Sequence, residues 1–512
     1  MSRTNKTALN SVVGLTGSFV NNVLAFVLKG VFIRLLGLEY AGVNSLFVNI
    51  LHILNLAELG FGNAIMFRLY KVIANNDREG VETYLAAYKK ICFAVAAVEG
   101  FLGVCCIPFL GFLIKEQPQF PESLWSLYAI VLTTSVLGQA LSYKGILIPA
   151  KQDKYISTIV GSSCSFLCLC LQMVVLCVYK NIYLYLLVNL FITILGPSIS
   201  ELVSKRKYGA TWKSKKRLTQ EERKSLVKDV GCLSAYRACG TIESSMDSFL
   251  ISKFIAVATV AVYGGVNAVL STLYSLFSVF NSGMSASIGD LYASDNEKQS
   301  VRSVFYQAYH FTYLLYGISA AVLIPLLSDF VYWWIGYTLS DACVYVMIVN
   351  YYMFGLGMSV ATFRNSMGLF QKGWKRPLAT ATANLFFSLL LINRIGLIGT
   401  LLGTLIGRTI TWIWYDPYIV CKYGMNEKPW KYYRRYAFYA LITLLSGMVS
   451  LSLKCVLPPM TSFPIIFLHG IVYLGVAAVI TLGTGIILPE QKLLLKRGVT
   501  IAVALKQKAL KG

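Results

Sequence analysis

The amino-acid sequence predicts an all-α polytopic membrane protein with about fourteen transmembrane helices. They are expected as two parallel six-helix lobes followed by a C-terminal helix pair. Three observations predict this. Apolar runs of spanning length alternate with short polar gaps. Every second gap is loaded with Lys and Arg. A set of short motifs recurs at a nearly constant offset along the chain.

The apolar runs come first. Of 512 residues, 56% are hydrophobic and 13% charged, about half the charged share of soluble domains. A helix that crosses the hydrocarbon needs about 20 apolar residues. The candidate spans are 11–36, 43–67, 90–114, 123–148, 156–178, 182–203, 229–252, 256–288, 303–327, 341–363, 378–393, 396–420, 436–456 and 463–488, with a split near Asn393.

The charge pattern orients them. A formal net charge of +23 would suggest nucleic acid in a soluble protein. Here the cations sit between spans, so the positive-inside rule applies and nucleic-acid binding is set aside. With the N-terminus inside, 37 of the 46 Lys and Arg fall in inside segments. Five fall outside: Lys115, Lys180, Lys253, Arg394 and Lys454. Lys29, Arg34, Arg237 and Arg408 lie within or at the edge of spans. Both termini are therefore expected in the cytoplasm. There is no cleavable-signal pattern, because the first apolar run is too long and lacks a small-residue cleavage site.

Several functional classes lack their signatures. The outside loops are short, the longest being about Ser328–Ser340, so no external catalytic domain fits. No P-loop, HExxH or GxSxG occurs, and no enzyme activity or cofactor is expected. His52, His310 and His469 are far apart and form no metal motif. Cys105, Cys106, Cys164, Cys168, Cys170 and Cys177 lie inside apolar runs without any CxxC pair; such thiols pack as small hydrophobes.

The repeat divides the chain. Tyr40-Ala41-Gly42-Val43-Asn44 recurs as Tyr263-Gly264-Gly265-Val266-Asn267, Leu69-Tyr70 as Leu291-Tyr292, and Lys151 with Lys154 as Lys372 with Lys375. The slowly drifting offset fits a duplication with small deletions. Six spans separate the copies, so both point the same way and substrate is expected at the interface between halves. The expected domains are 1–225, ending in the basic loop 204–228; 226–430; and 431–512, a further helix pair with a basic tail. The basic loop is a topology signal, with attraction to anionic headgroups as the sharper alternative.

Chemistry must then reside in polar groups inside the spans, where they are costly and face a cavity or a partner. On an ideal helix Asn44, Asn55 and Glu58 share one face of the second span. The corresponding eighth span carries Asn267, Tyr274, Ser278 and Asn281 on one face, with Ser271 and Ser285. Interhelical hydrogen bonding is the plainer account of such stripes. Asn22 and Lys29 share a face of the first span with Ser11 and Ser18; Lys29 could instead snorkel to the outer headgroups. Arg237, in the seventh span, is a candidate cationic contact for an anionic substrate, or a partner of a carboxylate such as Glu58. Glu58, Glu243 and Asp247 are candidate ion-coupling sites. Arg364 and Arg68 sit at span ends, where topology alone accounts for them. Arg408 has no partner nameable from sequence, and Glu99 has no assigned role.

Several of these residues carry a resemblance. Arg34-Leu-Leu-Gly-Leu-Glu-Tyr-Ala-Gly-Val-Asn44, Ala57-Glu58-Leu59-Gly60 and Arg68-Leu69-Tyr70-Lys71 resemble the opening of Wzx-type polysaccharide flippases. So do Phe363-Arg364-Asn365-Ser366-Met367-Gly368-Leu369-Phe370 and Trp414-Tyr415-Asp416-Pro417. The resemblance runs over nearly the whole chain. It implies a two-lobe transporter of the multidrug/oligosaccharidyl-lipid/polysaccharide superfamily in a bacterial inner membrane. Such a protein would flip polyprenyl-diphosphate-linked oligosaccharide from inner to outer leaflet by alternating access, for cell-surface polysaccharide synthesis. Its partners would be that lipid-linked glycan, membrane lipids and polysaccharide-assembly proteins. Related lipid II flippases have a cationic central cavity; here that expectation rests on Lys29 and Arg237, and Glu58, Glu243 and Asp247 are additions. Two alternatives stay open: an ion-coupled multidrug or cation antiporter of the same superfamily, and a membrane polysaccharide polymerase.

Overall fold

A computed structural model describes residues 3–493 except 56–57, 117, 152, 210, 213–218, 222–239, 244, 295–298, 370–374 and 487. Every regular element among the described residues is a helix. This follows from the solvent. Hydrocarbon offers backbone N–H and C=O groups no partner, so each span must satisfy its own, as a helix does.

The first part of the chain contains α1 (Arg3–Leu36), α2 (Leu38–Leu54), α3 (Glu58–Ala74), α4 (Arg78–Cys106), α5 (Leu124–Leu141), α6 (Lys154–Val178), α7 (Ile182–Tyr208) and α8 (245–254). The rest contains α9 (Val257–Ser294), α10 (Gln299–Ile335), α11 (Asp341–Ser366), α12 (Arg376–Ile395), α13 (Leu397–Ile419), α14 (Trp430–Lys454) and α15 (Phe463–Gly485). Polar residues start two of them: the Asp77 carboxylate accepts from the Gly80 N–H at 2.8 Å to cap α4, and Asn181 accepts from the Tyr183 and Leu184 N–H groups at 2.8 and 3.1 Å to cap α7. Each satisfies backbone donors that a helix start leaves open.

Twelve described helices are long and apolar enough to cross a membrane, so the chain is a multi-pass membrane protein. The expected count of fourteen differs at two places. The span expected over 43–67 is two shorter helices, because α2 ends at Leu54 and α3 begins at Glu58. The interruption also removes the premise that placed Asn44, Asn55 and Glu58 on one continuous face. Half of the span expected over 229–252 falls outside the described residues. The split expected near Asn393 is present: Gly396, at φ +61°, ends α12 and starts α13, a backbone conformation that glycine adopts without penalty.

The described residues group into two compact units that divide at Gly264 and Gly265. This lies beyond the 225–226 boundary expected from the basic loop. The chain after that loop still packs on the first unit: the Lys115 N–H donates to the Ser252 carbonyl (3.2 Å), the Ser252 hydroxyl donates to the Leu113 carbonyl (2.9 Å), and Gly42 lies directly against the Val257 backbone. Within the first unit α1 packs on α6, α6 on α7, and α4 on α3 and α5.

In the second unit α10 is the hub, in contact with α11, α14 and α15. Its core is aromatic: Tyr313 stacks on Tyr439 with ring centroids 3.9 Å apart, Tyr309 lies 4.8 Å from Tyr432, and Phe305 meets Phe363 edge-on at 5.0 Å. The helix pair α14–α15 is thus joined to this unit through α10. Helices α12 and α13 form a tight hairpin. Gly399, Gly403 and Gly407 recur every four residues and lie against the backbone of Leu391, Ser388 and Asn384. Small residues at this spacing let two membrane helices approach closely.

That approach leaves no room for a side chain. A Cβ at Gly403 would come within 2.5 Å of the Ser388 backbone nitrogen. We predict that Gly403→Leu forces α12 from α13 at a cost of about 1–3 kcal/mol or more. Thermal unfolding in detergent followed by size-exclusion chromatography measures this; an unchanged midpoint would contradict the packing.

Candidate functional site

The sequence-nominated residues fall into groups on individual elements. In the first unit α1, α8 and the start of α9 meet at Tyr263 and Gly264. Lys29, half-buried on α1, donates a hydrogen bond from Nζ to the Gly264 backbone carbonyl. Asp247, 6% exposed on α8, accepts from the Tyr263 hydroxyl at 3.3 Å. Lys29 is therefore held by a carbonyl inside the protein. Glu243 is half-buried on the same stretch of chain.

The repeat has a structural counterpart here. Tyr40 and Tyr263 open the two copies, and each donates its phenol to a carboxylate: Tyr40 to Glu122 and Tyr263 to Asp247. Gly42, in the first copy, accommodates the Val257 backbone. Both copies thus set the tyrosine against a carboxylate, whereas the close backbone approach is made at Gly42 alone of the two, Gly265 lying against the Ile335 side chain.

The remaining first-unit candidates are dispersed. Asn22 is half-buried on α1; its neighbour Asn21 donates to the Ser162 carbonyl at 3.1 Å and fastens α1 to α6. Asn44 is half-buried in α2. Asn55 ends α2 with its side-chain carbonyl buried and without a hydrogen-bond partner. Glu58 is the first residue of α3, and its side chain lies outside the described set. Arg237 lies outside the described residues, so its pairing with Glu58 or with substrate stays an expectation.

In the second unit α9 is continuous, and Asn267, Tyr274, Ser278 and Asn281 share one face of it. Burial grades along this stripe: Asn267 is exposed, Tyr274 and Ser278 are half-buried, and Asn281 is 2% exposed with a side-chain carbonyl that has no partner. Ser278 bonds back to the Ser275 carbonyl at 2.7 Å. Tyr274 lies 4.8 Å from Phe354 between ring centroids, and the Arg408 guanidinium sits 5.1 Å from the same Phe354 ring. The neighbour of Arg408 that sequence could not name is thus an aromatic face, a favourable place for a guanidinium.

One charged cluster corrects the sequence reading. Arg364 is not a topology anchor in water: its side chain is 1% exposed and its Nη1 lies 2.8 Å from the Asp416 Oδ1, which is equally buried. Arg376 approaches the same oxygen at 3.3 Å, and Trp412 donates from Nε1 to the other at 3.1 Å. The two segments 363–370 and 414–417, quoted separately above, meet in this ion pair. The available signal was Asp416 itself, since a carboxylate in an apolar run requires a cation or a proton. Glu99 is likewise buried, with Ser135 donating to it at 2.5 Å across the α4–α5 contact.

A polar groove of about 330 Å³ lies elsewhere in the first unit, lined by Asn76, Arg78, Glu82, Lys151, Tyr208 and apolar neighbours. It contains none of the nominated residues. Among the described residues no group of three or more His, Cys, Asp or Glu could hold a metal ion.

Removing one partner of a buried ion pair strands the other. We predict that Arg364→Met destabilises the protein by about 3–5 kcal/mol, whereas Arg364→Met combined with Asp416→Leu is nearer the parent. Detergent melting curves of the single and double variants test this; a single variant as stable as the parent would show that the pair contributes nothing.

Comparison with known proteins places this arrangement. No family model and no curated protein matches the sequence. The fold matches that of solved transporters. One is a lipid II flippase, MurJ, in an inward closed conformation: TM-score 0.71 at 13% identity, covering 93% of this chain and 100% of that one. A multidrug resistance MATE family transporter of the MOP superfamily, facing inward, matches with TM-score 0.59 at 14% identity over 86% of this chain and 96% of that one. A mutant of the Vibrio cholerae MATE transporter VcmN matches with TM-score 0.57 at 14% identity over 83% of this chain and 99% of that one.

Proposed function

We propose that this multi-pass membrane protein, sharing its fold with the flippase and MATE transporters just described, flips a polyprenyl-diphosphate-linked oligosaccharide from the inner to the outer leaflet. The observation that carries this reading is the extent of the fold match. The lipid II flippase overlays 93% of the chain at TM-score 0.71, and the inward-facing MATE transporter 86% at 0.59. On this reading the cargo is a lipid-linked saccharide and not a small soluble drug. The proposed setting is a bacterial inner membrane with both termini cytoplasmic, in line with the Lys and Arg asymmetry.

The chemistry of the nominated residues suits such a cargo. A diphosphate needs cations, and Arg is matched to bidentate phosphate contact. Arg237 and Lys29 are the proposed contacts. Lys29 would exchange the Gly264 carbonyl for a phosphate oxygen, a trade of one acceptor for a charged one. Asn22, Asn44, Asn55, Asn267, Ser278 and Asn281 would trade hydrogen bonds with sugar hydroxyls, and Tyr274 offers a ring face. Alternating access would then require Lys29 to release its carbonyl in one state and regain it in another.

A second reading, ion-coupled export of drugs or cations, is favoured by one specific observation: Asp247 is a buried carboxylate in contact with Tyr263. Glu58 and Glu243 would be its companions in coupling.

Reconstituted protein should move a fluorescent polyprenyl-diphosphate oligosaccharide to the far leaflet, read by access of a membrane-impermeant glycosidase. Lys29→Met should slow this about tenfold, a barrier increase of ~1.4 kcal/mol. Efflux of an aromatic cation driven by an ion gradient, with no movement of the lipid-linked glycan, would favour the second reading and overturn the first.

A further inference from the structure

The helix pair α14–α15 encloses a buried polar seam that none of the preceding chemistry uses. Tyr439, Thr443, Ser446 and Ser450 recur at i, i+4, i+7 and i+11, one face of α14, and none is more than 6% exposed. The opposite side of α14 is apolar and exposed, with Leu441, Leu444, Leu445 and Met448 at 50–61%. Across the seam, α15 presents His469 and Tyr473, 2% and 0% exposed, and α10 presents His310 and Tyr313, 0% and 1% exposed. Helix α10 packs on both α14 and α15, and those two pack on each other.

The seam is short of hydrogen bonds. The hydroxyls of Ser446, Ser450 and Tyr473 are buried without a hydrogen-bond partner, as are both ring nitrogens of His469, while Tyr313 lies within reach of Thr443 and Thr481, and His310 of Gln491. A dry seam with this many unmet groups would forfeit their hydration with no return. Such clusters in native proteins are met by internal water.

Both ends of the seam are charged. At one end Arg435 pairs with Glu490 at 2.9 Å, beside Gln491. At the other Lys454 pairs with Asp329 at 2.6 Å. Arg435 and Lys454 are both on α14, about 28 Å apart along its axis, close to the roughly 30 Å thickness of bilayer hydrocarbon.

We propose that this seam is a hydrated proton pathway across the second unit, with His310 and His469 as its proton-binding sites. The groups facing His310 are Tyr439 and Arg435 from α14, Gln491 after α15 and Tyr313 on its own helix; Glu490 lies beside Tyr439 and pairs with Arg435, and Tyr352 of α11 borders the aromatic cluster. The Nδ1 of His310 lies 2.9 Å from the Tyr439 hydroxyl. In the tautomer that donates from Nδ1, Nε2 carries a lone pair. Hydronium arriving from the Glu490 end transfers one proton to Nε2, leaving water and an imidazolium. The imidazolium then gives its Nδ1 proton to the Tyr439 oxygen as the Tyr439 O–H proton passes to the next hydroxyl or water, and a tautomer exchange resets the ring, so that one proton crosses with no net change of charge. His469 accepts and releases a proton in the same way near the Asp329 end.

The pathway is independent of the transported substrate, so its test needs no glycan. Proteoliposomes holding the full chain and a trapped pH-sensitive dye, given a pH gradient with potassium and valinomycin, should show proton flux that His310→Gln and His469→Gln each reduce at least tenfold. In parallel, X-ray radiolysis of the parent protein in ¹⁸O water should label Tyr313, Tyr473 and His469 despite their burial, and leave Leu444 and Leu445 unlabelled. The labelling arm needs no variant to fold. No flux through the parent protein, flux unchanged in folded His310→Gln, or an unlabelled seam would each overturn the proposal and leave a dry polar zipper.

Discussion

A charge that leaves water for hydrocarbon must find its counter-charge inside the protein, and this demand organises much of the structure. Arg364 and Asp416 meet it most completely: both are removed from solvent, Arg376 approaches the carboxylate oxygen that Arg364 binds, and Trp412 donates to the other. The pair joins α11 to α13, and Arg376 at the start of α12 draws the α12–α13 hairpin to the same point. Lys29 meets the demand more weakly, through one backbone carbonyl. Under the proposed flipping function, a cation neutralised by a buried carboxylate is committed to structure, whereas one resting on a neutral carbonyl is open to an anionic ligand.

The same constraint acts on neutral polar groups. Lipid-exposed positions are apolar, as with Leu441, Leu444 and Phe386, while Ser446, Ser450 and Ser388 point inward. Two consequences follow. Where glycines allow close approach, inward polar groups bond directly: the Ser388 hydroxyl reaches the Thr400 carbonyl at 3.1 Å within the α12–α13 hairpin. Around Tyr313 and Tyr439 the rings stack and the Tyr439 hydroxyl meets His310, while the inward hydroxyls of Ser446 and Ser450 have no direct partner.

Duplication adds a second theme. The repeat Tyr-x-Gly-Val-Asn appears in both copies, and in each the tyrosine hydroxyl contacts a carboxylate that comes from a different part of the chain, Glu122 in one case and Asp247 in the other. A carboxylate outside the repeated motif thus recurs as its partner. Lys29 reaches the start of the second copy at Gly264, a contact within the first unit.

The positions of the spans were legible in the chain because hydrocarbon thickness sets a length and hydropathy is a local property. The same holds for the split before Gly396, a residue whose positive φ permits it. The break between α2 and α3 was not legible, since the apolar run continues through Asn55 and hydropathy does not register a backbone interruption. The stripe on α9 could be read from a 3.6-residue period, and the equivalent stripe on α14 was there to be read in the same way. Which polar groups meet was another matter. Arg364 and Asp416 are 52 residues apart, Lys29 and Gly264 235 apart, and nothing local distinguishes an arginine at a span end that faces water from one turned into a helix bundle. Only packing brings such groups within reach, because the partner of a buried charge is chosen by the geometry of neighbouring helices and not by the residues beside it in sequence.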